Sequence, residues 1–159
     1  GMYEVTAVLS IILMFIGGSP GSTAGGIKTT TFLVLVLSIA ATVRHSPNIH
    51  IFKRKLESTL ARQAAAITTI YLIISLTAVM VIMALEPVLL KDALFEVISA
   101  IGTVGLSAGL SPVAGIPTKL ILMILMFGGR IGGLSLALVL AEKRVYVPLE
   151  RPVEKILIG

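Results

Sequence analysis

The sequence predicts an all-α transmembrane fold: one helix–re-entrant loop–helix unit, preceded by a broken helix. Three observations carry this reading. Hydrophobic residues make up 56% of the 159-residue chain and charged residues only 13%, about half the charged share of soluble domains. A soluble domain of this size leaves too much surface exposed to hide so many apolar side chains. Ala64–Leu85 is a run of 22 residues without a charge, long enough to cross about 30 Å of hydrocarbon as a helix. Leu120–Ala141 is a second such run, charged only at Arg130. The stretch between them, Glu86–Lys119, is too short and too broken by Gly and Pro to cross a membrane and return.

Taken in chain order, Val5–Ile16 is a nearly continuous apolar run, Gly17–Gly26 is rich in Gly, Ser, Pro and Thr, and Thr31–Val43 is apolar again. Residues 1–43 therefore read as one discontinuous helix, two half-helices joined by flexible backbone at mid-membrane. A plain kinked helix is the competing reading. Residues 44–63 form a loop, 64–141 the helix–loop–helix unit, and 142–159 a tail. Inside the unit, residues 92–101 make about three helical turns. Residues 102–110 open with Gly102–Gly109, three glycines in eight residues, and should leave the helical path. Non-helical backbone at membrane depth survives only against protein or a water-filled cavity. An external hairpin with turn glycines is the alternative.

Charge sets orientation. Arg44–Arg62 carries Arg44, Lys53, Arg54, Lys55 and Arg62 against the single acid Glu57, and the tail carries Lys143, Arg144, Arg151 and Lys155. Glu86–Lys119 holds only Lys91 and Lys119 against three acids. By the positive-inside rule, residues 44–63 and the C-terminus are cytoplasmic and the re-entrant loop opens outward. The basic runs lack aromatic interleaving and read as topology signals, not as a nucleic-acid surface.

No basic n-region precedes the first apolar segment, which is expected to run from outside to inside. That points to missing N-terminal sequence. A weak repeat agrees: Ile12-Leu13-Met14-Phe15 followed by Gly17-Gly18 recurs as Ile124-Leu125-Met126-Phe127 followed by Gly128-Gly129. The chain then holds the last helix of one repeat and the whole of the next.

The absence of cysteine excludes disulfides, thiol nucleophiles and Cys-ligated zinc. Two histidines, His45 and His50, leave little for a His-based metal site. Gly21 and Gly26 have the G-x-x-x-x-G spacing of a phosphate loop, but Ile27 displaces Lys28 by one position and apolar helices flank the loop. Thr103-Val104-Gly105 is more informative. It reproduces the start of the Thr-Val-Gly-Tyr-Gly potassium filter, with Leu106 replacing the aromatic residue and Ser107 the second glycine. In such a segment carbonyl oxygens replace a cation's hydration shell. Lys28 and Arg130 lie deep in apolar sequence, where a charge costs about 2.5–3.5 kcal/mol and faces water or a partner. A positive charge below a cation filter acts as a gate; alternatively, Arg130 ties loop carbonyls together.

Three blocks in order, Gly17–Thr31 (GGSPGSTAGGIKTTT), Phe95–Leu110 (FEVISAIGTVGLSAGL) and Phe127–Leu134 (FGGRIGGL), resemble the membrane subunits of the Trk/Ktr/HKT potassium-uptake superfamily, most of all the Ktr type. The resemblance implies a potassium-channel-like architecture of four helix–pore loop–helix repeats, of which this chain is a C-terminal fragment: the end of the third repeat and all of the fourth. Val153–Gly159 looks like that family's C-terminus. It implies that Thr103, Val104 and Gly105 supply a quarter of a K+ filter through their carbonyls. It also implies a gating loop over residues 17–31, comprising Gly17, Gly18, Ser19, Pro20, Gly21, Ser22, Thr23, Ala24, Gly25, Gly26 and Lys28, with Arg130 as its helix partner. Further implications are K+ as transported ion, Na+ as a stimulating or coupled ion, no organic cofactor on this chain, a homodimer in a bacterial plasma membrane, and a cytosolic ring of nucleotide-binding regulatory proteins. Two other readings compete: a two-helix homotetrameric channel subunit, and a membrane enzyme using Lys28, Arg130 and Glu96 on a phosphorylated lipid.

Overall fold

The computed structural model describes residues 4–44, 50–51, 54–55 and 58–141, with backbone alone at 50, 51, 54, 55, 58 and 132–141. The tail 142–159, His45, Lys53 and Glu57 lie outside the described residues. The elements are α1 (Glu4–Ile16), α2 (Thr29–Val43), α3 (Ser58–Leu85), α4 (Leu90–Ile101), α5 (Leu110–Val113) and α6 (Ile116–Ala141). A two-residue antiparallel ladder of β1 (His50–Ile51) with β2 (Arg54–Lys55) is the one strand pairing among the described residues.

Several boundaries differ from expectation. α3 begins at Ser58, inside the basic stretch expected to be loop up to residue 63. Thr59–Gln63 includes good helix formers, and charge marks the membrane edge without ending a helix. α4 starts at Leu90, after an extended Leu89 that follows Pro87. Leu110, expected to close the non-helical segment, instead opens the single turn α5, with Gly109 left-handed at φ +106° before it.

α4 is the hub: it packs against α1, α3 and α6, while α2 lies against α3. Ala93 and every residue from Phe95 to Ile101 are buried. Each neighbour presents a helical-period stripe, Tyr71, Ser75, Ala78 and Ile82 from α3 and Thr118, Leu122, Leu125 and Gly129 from α6. Ile82 and Val97 are fully buried at the α3–α4 seam. The outward faces are as apolar as the seam: Val5, Leu13, Ile73, Met80, Ile124 and Phe127 are each more than half exposed. An exposed apolar mantle of this extent marks contact with lipid or protein. Among the described residues, Thr59–Leu85 is the one helix long and apolar enough to cross a membrane; α1 and α2 are shorter apolar helices. Several hydroxyls along these helices donate to the carbonyl four residues back, as Ser10 does to Thr6, Thr68 to Ala64 and Ser75 to Tyr71.

Two acids fix the vertical order. Glu86, just past α3, accepts hydrogen bonds from the Gly115 amide at 2.7 Å and the Thr118 hydroxyl at 3.1 Å, so the end of α3 and the start of α6 share a level. Glu4 and Lys91 pair at 2.6 Å, which brings together the starts of α1 and α4. From there α4 descends about 17 Å and ends against Gly129, about 20 Å down α6. The chain then turns back through 102–109 to α5. Between α4 and α6 the backbone thus doubles back on α4 through residues 102–109.

Candidate functional site

The returning segment is tied to α4 in a fixed order. The Thr103 amide donates to the Ala100 carbonyl at 3.0 Å and the Val104 amide to the Ser99 carbonyl at 2.9 Å. The Ser99 hydroxyl donates to the Leu106 carbonyl at 2.5 Å. Thr103 and Gly105 are left-handed, at φ +53° and +83°, and flank Val104, whose φ is negative. Among the described residues, the carbonyl oxygens of Thr103, Val104 and Gly105 accept no hydrogen bond.

Beneath lies the broken helix. Gly17 ends α1 with φ +72°, and the Thr29 amide donates to the Gly18 carbonyl at 3.0 Å, which brings the two ends of the loop together. Gly25, Gly26 and Ile27 are buried and anchor the loop, while Ser19–Thr23 is exposed. The Gly25 amide reaches the return segment directly, donating to the Thr103 hydroxyl at 2.8 Å and to the Gly102 carbonyl at 3.2 Å. Only glycine permits this approach: a Cβ on Gly25 would stand 2.8 Å from the Ile101 carbonyl oxygen and 3.1 Å from that of Gly129. The Lys28 ammonium turns back onto the loop, donating to the carbonyls of Ser22 at 3.3 Å and of Ala24.

α6 completes the junction. A Cβ on Gly129 would overlap the Ile101 carbonyl oxygen, and the Tyr71 hydroxyl donates to the Gly129 carbonyl at 3.4 Å. The next residue, Arg130, lines a cleft of about 450 Å³ together with Ser99, Thr103, Gly105, Met123, Met126 and Phe127. Arg130 forms no hydrogen bond or ion pair among the described residues. The loop carbonyls of Ser22 and Ala24 are bound by Lys28. The cleft thus sets Arg130 beside Thr103 and Gly105, whose carbonyls accept no hydrogen bond among the described residues.

Thr103, Gly105, Gly25 and Arg130 thus come together. Val104 neighbours them without lining the cleft, and the exposed Ser19–Thr23 does not line it either. The repeated tetrapeptide has unlike surroundings: Gly17 ends a helix, whereas Gly128 and Gly129 sit inside α6. Ser19-Pro20-Gly21 follows the first pair and breaks the helix; Arg130-Ile131 follows the second and continues it. Residue patterns alone missed Gly129 as a contact point, Tyr71 as its partner, and Glu86 and Glu96 as organisers of the loop. The acids carried a usable signal, since a carboxylate in apolar sequence must find donors.

Residues 2–146 match the family model described as TrkH, cation transport protein. The chain is 35% identical over 147 residues to Ktr system potassium uptake protein D of Bacillus subtilis, covering 92% of this chain and 33% of that protein. It is 38% identical over 134 residues to Ktr system potassium uptake protein B of the same organism, covering 84% and 30%. It is 33% identical over 164 residues to potassium/sodium uptake protein NtpJ of Enterococcus hirae, covering 99% and 36%. The chain spans about a third of the length of these relatives.

Proposed function

The chain belongs to the TrkH family of cation transport proteins, and on that premise we propose that it supplies one part of a gated, selective path for potassium uptake. Membrane location accompanies the family assignment. In this reading Thr103, Val104 and Gly105 offer their carbonyls to the ion, residues 17–28 form the gate beneath, and Arg130 places a positive charge in the cleft between them. The observation that supports it most is that three consecutive carbonyls, those of Thr103, Val104 and Gly105, accept no hydrogen bond, next to the Gly102 carbonyl and Thr103 hydroxyl that the Gly25 amide holds. Four such segments would surround one ion, the other three coming from sequence outside this chain. Sodium as a second ion is supported by the name of the Enterococcus relative, and partner subunits by the word system in the names of the Ktr relatives. A homodimer and a cytosolic nucleotide-binding ring remain part of the proposal through the resemblance of the three sequence blocks. The inward side of residues 44–63 rests on the distribution of Lys and Arg.

Gly105→Ser tests the reading in potassium flux by the full-length protein. No atom lies within 4 Å of a Cβ at this position, so the substituted chain has room to fold. The left-handed backbone at φ +83° costs a non-glycine residue about 1–2 kcal/mol, enough to disturb the carbonyl row. Potassium uptake is expected to fall at least about tenfold. Unchanged uptake rejects the role given to this segment.

A further inference from the structure

Glu96 is 3% exposed, sits midway along α4, and has no role in the path described above. Its environment is built from donors. One carboxylate oxygen accepts from the Leu110 amide at 3.2 Å, the Ser111 amide at 3.1 Å and the Ser107 hydroxyl. The other accepts from the Ser111 hydroxyl at 2.9 Å. The Gly109 amide in turn donates to the Ser107 hydroxyl at 3.0 Å. Positions 96, 99 and 100 lie on one face of α4, and together they hold the return segment at successive points. Ala100 and Ser99 hold Thr103 and Val104 by their amides, the Ser99 hydroxyl holds the Leu106 carbonyl, and Glu96 holds everything from Ser107 to Ser111.

The consequence is a boundary. The carbonyls of Thr103, Val104 and Gly105 are left unengaged, whereas the Leu106 carbonyl is pulled back toward α4. Gly105 is open and left-handed, so nothing around its own side holds the backbone in place. Its position is set from the flanks, by Ser99 on one side and by the Glu96 clasp on the other. We propose that Glu96 is a positioning residue for ion selectivity: it clasps Ser107, Leu110 and Ser111 and thereby fixes where the row of ion-facing carbonyls ends. Glu96 does not touch the ion. The inference rests on the reading of Thr103–Gly105 as a selectivity segment.

A clasp that works through hydrogen-bond geometry has a distinctive pattern under substitution. Glu96→Gln keeps an oxygen for the two amides and Ser107, and an amide group that can bond the Ser111 hydroxyl. Glu96→Ala leaves four donors without an acceptor. The experiment compares potassium and sodium uptake by the full-length protein and its variants, normalised to the amount in the membrane. Glu96→Ala is expected to lower the potassium-to-sodium ratio about tenfold and to raise the KM for potassium more than it lowers the maximal rate. Glu96→Gln is expected to restore most of the ratio. Should Glu96→Ala fail to reach the membrane, the double variant Ser107→Ala with Ser111→Ala decides, since it removes only two hydroxyls: a lowered ratio supports the clasp and an unchanged ratio overturns it. An unchanged ratio in Glu96→Ala, or a loss in Glu96→Gln as large as in Glu96→Ala, also overturns it. Gly105→Ser in the same assay separates the two ideas. If that variant transports normally, the selectivity segment itself is refuted; if it fails while Glu96→Ala keeps its selectivity, only the clasp is.

Discussion

Gly129→Ala is expected to destabilise the protein and cut potassium uptake to below about a tenth, whereas Gly128→Ala, one residue earlier, leaves both intact. The two glycines are adjacent in α6 but face opposite surroundings. At 128 a Cβ meets nothing within 4 Å, and alanine there is the better helix former by about 1 kcal/mol. At 129 the new carbon would overlap the backbone of Ile101, including its carbonyl oxygen. A backbone oxygen at the end of a packed helix has no rotamer to change. Relief requires α6 to move away from α4, and overpacking of this kind costs about 1–3 kcal/mol. The same shift would carry Arg130 away from the cleft and disturb the Tyr71 bond to the Gly129 carbonyl. Melting temperature in detergent and uptake in cells read the two consequences. Equal behaviour of the two variants would show that the α4–α6 contact is looser than the geometry requires.

Deleting Ser19–Thr23 is expected to act in the opposite direction and raise potassium flux. The deletion spares the anchors, since Gly25, Gly26 and Ile27 carry the buried part of the loop. Geometry permits the join: a Cβ on Gly18 would stand 2.7 Å from the Ala24 side chain, so the cut ends already lie together. What is lost is one of the two carbonyls holding the Lys28 ammonium, that of Ser22. A hydrogen bond to a charged group contributes about 1.5–3 kcal/mol. Removing a contact of that size from the closed state alone shifts the closed–open balance about tenfold. Flux that stays at the parental level would make the loop a passive break in the helix.

The contrast between these two sites also shows what residue patterns reveal. The broken helix was legible because a run of Ser, Pro and Gly between apolar stretches interrupts helix, and Lys28 and Arg130 stood out as charges in apolar sequence. A short helix followed by irregular backbone was legible from the three glycines of Gly102–Gly109, where α4 ends at Ile101 and residues 102–109 are not helical. Gly129 was not legible, because its role lies in the approach of an oxygen 28 residues earlier in the chain, on α4. Glu96 stood out only as an acid in apolar sequence, and its partners were not visible: Ser107, Leu110 and Ser111 meet it where α5 opens at Leu110, a position expected to be irregular. Long-range backbone contacts leave no periodicity, and a one-turn helix of Leu-Ser-Pro-Val has little intrinsic propensity to announce it.

The most direct test of the central claim is a high-resolution structure of the full-length protein prepared once in rubidium and once in sodium. A difference peak is expected opposite the carbonyl oxygens of Thr103, Val104 and Gly105, present with rubidium and weaker or absent with sodium. A structure in which those carbonyls turn into the protein, or in which the ion peak lies away from them, would contradict it.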